Sequence, residues 1–315
     1  MPELTVADRH WTVATGSNLL DALNQSGVPV PYSCRAGSCH ACLVQCVGGD
    51  VRDGRPDALS PAQRAQGWRL ACQCQVVEDV QIHTFDPQRD GQAAQVAAVD
   101  WLGPDVLRLR VIPERALRYQ AGQHLVLWAG EVARPYSLAS LPDEDRFLEF
   151  HLDCREPGQF ITAARRMKVG DPIRLGELRG GALHYNPDWH DKPLWLLAAG
   201  TGLAPLFGLL REALRQQHQG AIRLIHVAHN EAGHYLAKPL AALAAKHQHL
   251  TVELLTTAEA PQMLAQLRLV SRQTQALACG HPDRVEAFAK RLYLAGLPRN
   301  QLLADVFLTR ESSAS

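Results

Sequence analysis

The sequence predicts a multi-domain chain of mixed α+β and α/β class, and three observations carry that prediction. Short alternating strand signals with turns fill the first part, around the stretch YSCRAGSCHACLVQC, Tyr32 to Cys46. Strand signals separated by Pro or Gly then repeat up to His190. From Pro193 the pattern changes to strand and helix in alternation. The expected organisation is a small β-rich unit over residues 1–86, an antiparallel β-barrel over 94–190 and a doubly wound parallel sheet over 191–311.

In the first unit, ELTVAD and HWTVAT alternate apolar and polar residues, as half-buried strands do. SNLLDALNQSG reads as a capped helix, started by Ser17 or Asn18 and stopped by Gly27. After VQIHTF, the polar stretch DPQRDGQAAQ has no periodicity and reads as a linker. DVLRLRVI, QHLVLWAG, FLEFHLD and DPIRLGEL supply the strands of the barrel. LWLLAAG, IRLIHVAH, LTVELLTT, QALACG and LLADVF are the parallel strands, separated by Ala- and Leu-rich helices. The uncharged run from Pro193 to Leu210 is long enough for a membrane span, but Gly200, Thr201, Gly202 and Pro205 break its middle. It reads as a buried strand, a glycine turn and a helix.

With 32 basic and 32 acidic residues the chain carries no formal net charge and no basic stripe. That argues against nucleic acid and against an anionic membrane as partner. The start, MPELTVADRHWTVATGSN, lacks the basic residues and apolar run of an export signal, so the expected location is the cytoplasm.

In such a compartment crowded thiols point to metal or catalysis rather than to disulfides. Cys34, Cys39 and Cys42 are spaced C-x4-C-x2-C, and Cys72 follows in RLACQC. That is the spacing with which plant-type ferredoxins hold two irons and two sulfides. Arg35, Ala36, Gly37 and Ser38 form a tight loop whose N–H groups can face the cluster sulfurs. The alternatives are a structural zinc site, which favours two separated CxxC knuckles, or free thiols. Cys46 and Cys74 read as buried bystanders, although Cys74 could stand in for Cys72.

Four further segments belong with the cysteines. RPYS, Arg134 to Ser137, offers a phosphate partner, an aromatic platform and a hydroxyl for a ring nitrogen. EPGQFIT, Glu156 to Thr162, is a glycine turn opening a helix, and AAGTGLAP ends the first parallel strand with glycines that admit a dinucleotide backbone. LACGHP places Cys279 and Gly280 at the carboxyl edge of the sheet, where ligands bind in such folds.

In this order the motifs resemble the ferredoxin–NAD(P) reductase superfamily, and within it the NADH-dependent reductase components of bacterial ring-hydroxylating dioxygenases and related oxygenases. The resemblance covers nearly the whole chain. It implies a β-grasp 2Fe–2S ferredoxin domain, an FAD-binding barrel and an NAD-binding α/β domain, with FAD rather than FMN. Cys34, Cys39, Cys42 and Cys72 would ligate the cluster. Arg134, Tyr136 and Ser137 would hold FAD, with Tyr136 against the ring and Ser137 near N5. Gly158 and Thr162 would line the flavin pyrophosphate loop. Gly200, Thr201, Gly202 and Pro205 would meet the dinucleotide, and Cys279 and Gly280 would lie by the nicotinamide. Tyr136, Ser137 and Cys279 are thus the implied catalytic positions. Phe307 matches an aromatic that covers the flavin, although here LTRESSAS follows it, whereas relatives often stop nearer that aromatic.

The function this implies is electron transfer from NADH, through FAD and the cluster, to an oxygenase component or a separate ferredoxin. The rivals are a reductase for a sugar-biosynthetic dehydratase, and a redox carrier or sensor without enzymatic activity. HVAHNEAGH, with His226, His229 and His234, reads as a solvated strand end rather than a metal site, because strand positions three apart face opposite ways. The strand IRLIHVAH runs into NEAGHYLAK, where Glu231 could accept a ribose hydroxyl and would repel a 2′-phosphate. NADH is therefore expected over NADPH.

Overall fold

The computed structural model describes residues 1–180 and 182–307; the LTRESSAS tail lies outside the described residues. Among them, strands form four sheets.

The first domain carries a five-stranded sheet in the order Arg9–Thr12, Glu3–Val6, Val80–Thr84, Leu43–Gly48, Trp68–Leu70. Glu3–Val6 and Val80–Thr84 run parallel, so the start of this unit is locked to its end. The helix Leu19–Gln25 is capped as expected: the Asn18 side chain accepts from Asp21 N at 3.3 Å, and Gly27 has φ +74°. Its apolar face, Leu19, Leu20 and Leu23, is fully buried against the sheet. The Asn18 amide also donates to the Cys72 carbonyl at 3.0 Å, so one cap anchors both the helix and the cysteine turn.

The second domain is a curled antiparallel sheet of six strands, ordered Val132–Ser137, His124–Ala129, Pro172–Arg179, Gln92–Trp101, Val106–Pro113, Leu148–Asp153. Ala139 N–H donates to the Glu149 carbonyl at 2.9 Å, which draws the two edges together. The first of these strands in the sequence begins at Gln92, inside the stretch read as a linker. Ala93 and Ala94 pair with Arg174 and Ile173 there, so cross-strand pairing overrides the polar composition.

The third domain is a five-stranded parallel sheet ordered Leu250–Thr256, Ile222–Ala228, Leu194–Ala199, Gln275–Gly280, Leu302–Val306. Every residue of the central strand Leu194–Ala199 is buried. Leu194, Leu196 and Ala198 pack toward the helices Leu203–Arg215 and Ala237–Lys246, whereas Trp195, Leu197 and Ala199 pack toward Pro282–Leu294. Burial on both faces explains why this strand is apolar without alternation. The run from Pro193 to Leu210 is thus strand, turn and helix, and no helix among the described residues is long and apolar enough to cross a membrane.

Candidate functional site

The cysteine loop forms two thiol pairs. The Cys39 thiol donates to the Cys34 sulfur, which brings Cys34 down to about 4 and pushes Cys39 up. Cys42 donates to Cys72 in the same way, bringing Cys72 to about 7 and pushing Cys42 up. Backbone N–H groups of Ala36 and Cys39 reach the Cys34 sulfur at 3.3 and 3.4 Å, and the Gln73 amide reaches the Cys72 sulfur at 3.3 Å. Arg35, Gly37 and His40 have φ of +49°, +76° and +56°, which turns the loop inward. Arg35 is held by Asp21 at 2.6 Å, and Arg55 donates to the Ala36 carbonyl at 2.6 Å.

Among the described residues no three Cys, His, Asp or Glu side chains gather closely enough for one metal ion. Two pairs, each with N–H donors on one of its sulfurs, suit a binuclear cluster in which each iron takes two thiolates. A mononuclear zinc site would need four donors around one point. Cys74 is fully buried in the domain core, where burial pushes its thiol up, whereas Cys72 is the cysteine paired with Cys42.

The two pairs face different surroundings. Cys34, Cys39 and Ala41 pack on Val126, Trp128 and Ala133 of the barrel. Phe85 stacks on Trp128 with ring centroids 5.3 Å apart. Glu177 binds Gln63 and Arg179 and lies 3.6 Å from His40 Nδ1. Cys72, by contrast, lines an open recess of about 390 Å³ with Asn18, Arg52, Gly54, Gln73 and Gln75.

RPYS lies on the strand Val132–Ser137 and acts as a wall. Pairing places Arg134 opposite Leu127 and Tyr136 opposite Leu125, and these four share one face. Ala133, Pro135 and Ser137 share the other with Trp128, Val126 and His124, on the side of the cysteine loop. Tyr136 leans on Phe160 of the helix Gln159–Ala164, with centroids 5.1 Å apart, and burial pushes its phenol up. Gly158 caps that helix, Thr162 is exposed on it, and a Cβ at Gly158 would meet nothing within 4 Å.

In the GTG turn the glycines differ. Gly200 has φ +55° and open space, with Arg155 Nη2 nearest at 4.0 Å from a Cβ. Gly202 is a packing glycine, since a Cβ there would stand 2.2 Å from the Cys279 carbonyl oxygen. Thr201 is half-buried, and Pro205 is buried in the first turn of Leu203–Arg215, where its missing N–H leaves no bond unmade. The Cys279 side chain is wholly buried in the core beneath the turn, which pushes its thiol well up and suits packing rather than nucleophilic attack. Phe307 N–H donates to the Gly280 carbonyl at 2.9 Å. Asp305, paired with Cys279, is pushed up by burial and by the nearby Cys34 sulfur. The cysteine loop packs on the barrel strands that carry Trp128 and Ala133, and the barrel strand Leu148–Asp153 meets the Gly200–Gly202 turn, so the barrel stands between the other two domains.

One reading of the sequence is corrected. His229 is exposed, but His226 and His234 are buried, with Nδ1 atoms 3.3 Å apart. The 3-10 turn Glu231–Gly233 doubles the chain back, which strand alternation cannot anticipate. Arg155, ion-paired with Asp153 at 2.6 Å, has no sequence signature, because a lone exposed Arg carries no pattern.

Two family profiles match: the 2Fe-2S iron-sulfur cluster binding domain over residues 4–77, and the oxidoreductase NAD-binding domain over residues 196–291. The ferredoxin–NAD(P)(+) reductase component of the naphthalene 1,2-dioxygenase/salicylate 5-hydroxylase systems of Ralstonia sp is 31% identical over 319 residues, 95% of each chain. The chain belongs to this reductase family. Terephthalate 1,2-dioxygenase reductase component 2 of Comamonas sp is 33% identical over 239 residues, 73% of this chain and 70% of that one. The crystal structure of an Amycolatopsis cytochrome P450 reductase matches with a TM-score of 0.65 at 26% identity, covering 98% of this chain and 99% of that one. As a member of the family, the reductase is an oxidoreductase that works with a 2Fe–2S cluster, FAD and NAD(H).

Proposed function

We propose that this chain is the reductase component of a cytoplasmic oxygenase system, carrying electrons from NADH through FAD and a 2Fe–2S cluster to an oxygenase or its ferredoxin. The observation that carries the reading is the packing of the thiol loop on one face of the strands that carry RPYS, with the GTG turn against the barrel strand Leu148–Asp153. Residues 1–86 hold the cluster, 94–190 the flavin and 191–311 the dinucleotide. When bound, FAD accepts a hydride from NADH and releases electrons singly, which the cluster carries one at a time.

The chain's own residues supply alignment. Cys34, Cys39, Cys42 and Cys72 hold the irons, and the loop N–H groups spread the charge on the sulfurs. Arg134 pairs with a flavin phosphate and Tyr136 lies on the ring, while Ser137, on the opposite face at the end of the strand, takes its place near N5 from the family resemblance. Gly158 and Thr162 border the pyrophosphate. Gly200 and Thr201 meet the dinucleotide, Gly202 and Pro205 fix the turn beneath it, and Phe307 covers the flavin beside Cys279 and Gly280. Trp128 and Phe85 exclude water between barrel and cluster. The relatives' names, which are those of oxygenase systems, favour this reading over a sugar-dehydratase reductase, and an NAD-binding domain argues against a bare carrier.

Cys39→Ser tests it. The variant should lose the visible absorption of the cluster while keeping flavin, reduce ferricyanide with NADH and fail with cytochrome c. Stoichiometric zinc without iron in the purified wild type would overturn the reading.

A further inference from the structure

A buried polar chain crosses from the barrel into the dinucleotide domain, and none of the cofactor contacts proposed above uses it. Tyr235, in the loop before Ala237–Lys246, donates its hydroxyl to His151 Nδ1 at 3.2 Å. His151 Nε2 donates to Glu149 Oε1 at 2.9 Å, and Arg110 Nε donates to Glu149 Oε2 at 2.6 Å. On its other side, the Tyr235 ring meets the His226 ring edge-on, with centroids 5.8 Å apart. His226 Nε2 lies 3.1 Å from the Gly200 carbonyl, which can only accept, so Nε2 carries the proton. His226 Nδ1 is then the acceptor for His234 Nδ1 at 3.3 Å. Glu149, His151, Tyr235, His226 and His234 are each more than nine-tenths buried.

Apolar side chains would join two domains without the desolvation cost of this chain. Hydrogen bonds add direction, which apolar contact lacks. Here hydrogen bonds fix Tyr235 to a carboxylate anchored in the barrel sheet, and the edge of the Tyr235 ring in turn fixes His226, which holds the carbonyl that opens the GTG turn. A second contact between the same domains, Arg211 with Asp145 at 2.6 Å and Glu144 at 3.2 Å, has no such path. It docks the helix Leu203–Arg215 without touching Gly200.

We propose that Tyr235 and His226 are positioning residues, which with His151 and Glu149 aim the Gly200–Gly202 turn at the barrel and so set the nicotinamide against the flavin. The inference rests on the proposed NADH-to-flavin reading. A displacement of 1 Å at a reacting centre costs on the order of a hundredfold in rate, so a partly relaxed turn should cost roughly tenfold.

The experiment compares flavin-loaded wild type, Tyr235→Phe and Arg211→Ala. Stopped-flow flavin reduction by NADH should slow about tenfold in Tyr235→Phe with the KM for NADH within about twofold, and stay within about twofold in Arg211→Ala. Amide hydrogen exchange without NADH should quicken roughly tenfold over residues 199–203 in Tyr235→Phe alone, the shift expected for one lost hydrogen bond. Unchanged exchange at the turn, a loss confined to KM, or an equal effect of Arg211→Ala would overturn the proposal. Should Tyr235→Phe fail to hold flavin, His226→Gln and His226→Leu decide. The Gln amide reaches where Nε2 stands and should keep at least about half the rate, which Leu should not; equal rates would overturn the idea. A wild-type flavin that NADH does not reduce would instead remove the proposed function, while exchange at the turn is read independently of it.

Discussion

Gly202→Ala is the sharpest single test of how the dinucleotide turn is built. A Cβ at this position would stand 2.2 Å from the Cys279 oxygen, 2.4 Å from the Cys279 carbon and 2.7 Å from the Gly280 nitrogen. All three are backbone atoms of a central strand, so no rotamer can relieve the clash. Restoring ordinary contact of about 3.5 Å requires roughly 1 Å of movement between turn and strand. Overpacking of this kind costs about 1–3 kcal/mol, and displacement on that scale costs on the order of a hundredfold in rate. Gly158→Ala is the companion: φ is −159° and nothing lies within 4 Å, so the bare protein should lose less than about 0.5 kcal/mol. The assay is NADH oxidation with ferricyanide, alongside flavin and cluster spectra and thermal melting. Gly202→Ala should lower kcat/KM by about ten- to a hundredfold and melt earlier, with both spectra intact. Gly158→Ala should melt normally without cofactor but bind FAD more weakly, because the methyl enters the space the pyrophosphate needs. A Gly202→Ala enzyme with wild-type kcat/KM would refute the packing argument.

Arg134→Ala should lose flavin on purification while keeping the cluster, and full FAD content in that variant would remove the role assigned to RPYS. NADH should be preferred over NADPH by the ratio of kcat/KM at neutral pH and fixed salt. Glu231 is exposed beside the end of strand Ile222–Ala228, so Glu231→Arg should narrow the gap, and a ratio near one in the wild type would refute the preference.

What could be read from the sequence was local. The four cysteines whose thiols the fold pairs were legible because C-x4-C-x2-C lies within one loop and Cys72 follows a short strand. The parallel strands were legible because burial on both faces leaves a continuous apolar run, as in Leu194–Ala199. Contacts between domains were not legible. Trp128 looks like any barrel residue until Phe85 stacks on it, and Tyr235 gives no hint that it reaches His151. His226 and His234 were visible as residues but not as a pair, since the turn between them inverts the alternation. The start of the barrel was obscured by polar Gln92 and Gln95, whose strand is held by pairing partners on both sides.

The pairing of Glu3–Val6 with Val80–Thr84 has a consequence for synthesis. The cluster-bearing sheet has all its strands once Thr84 has emerged, so iron and sulfide can be loaded while the rest of the chain is still being translated. The parallel sheet cannot be finished until Leu302–Val306 arrives to pair with Gln275–Gly280. At about 5–20 residues per second that delay is on the order of ten seconds or more. Through that interval the sheet of the first domain can be complete while the place for the donor is not. The order of the strands thus lets the cysteine-bearing domain close before the donor's sheet exists.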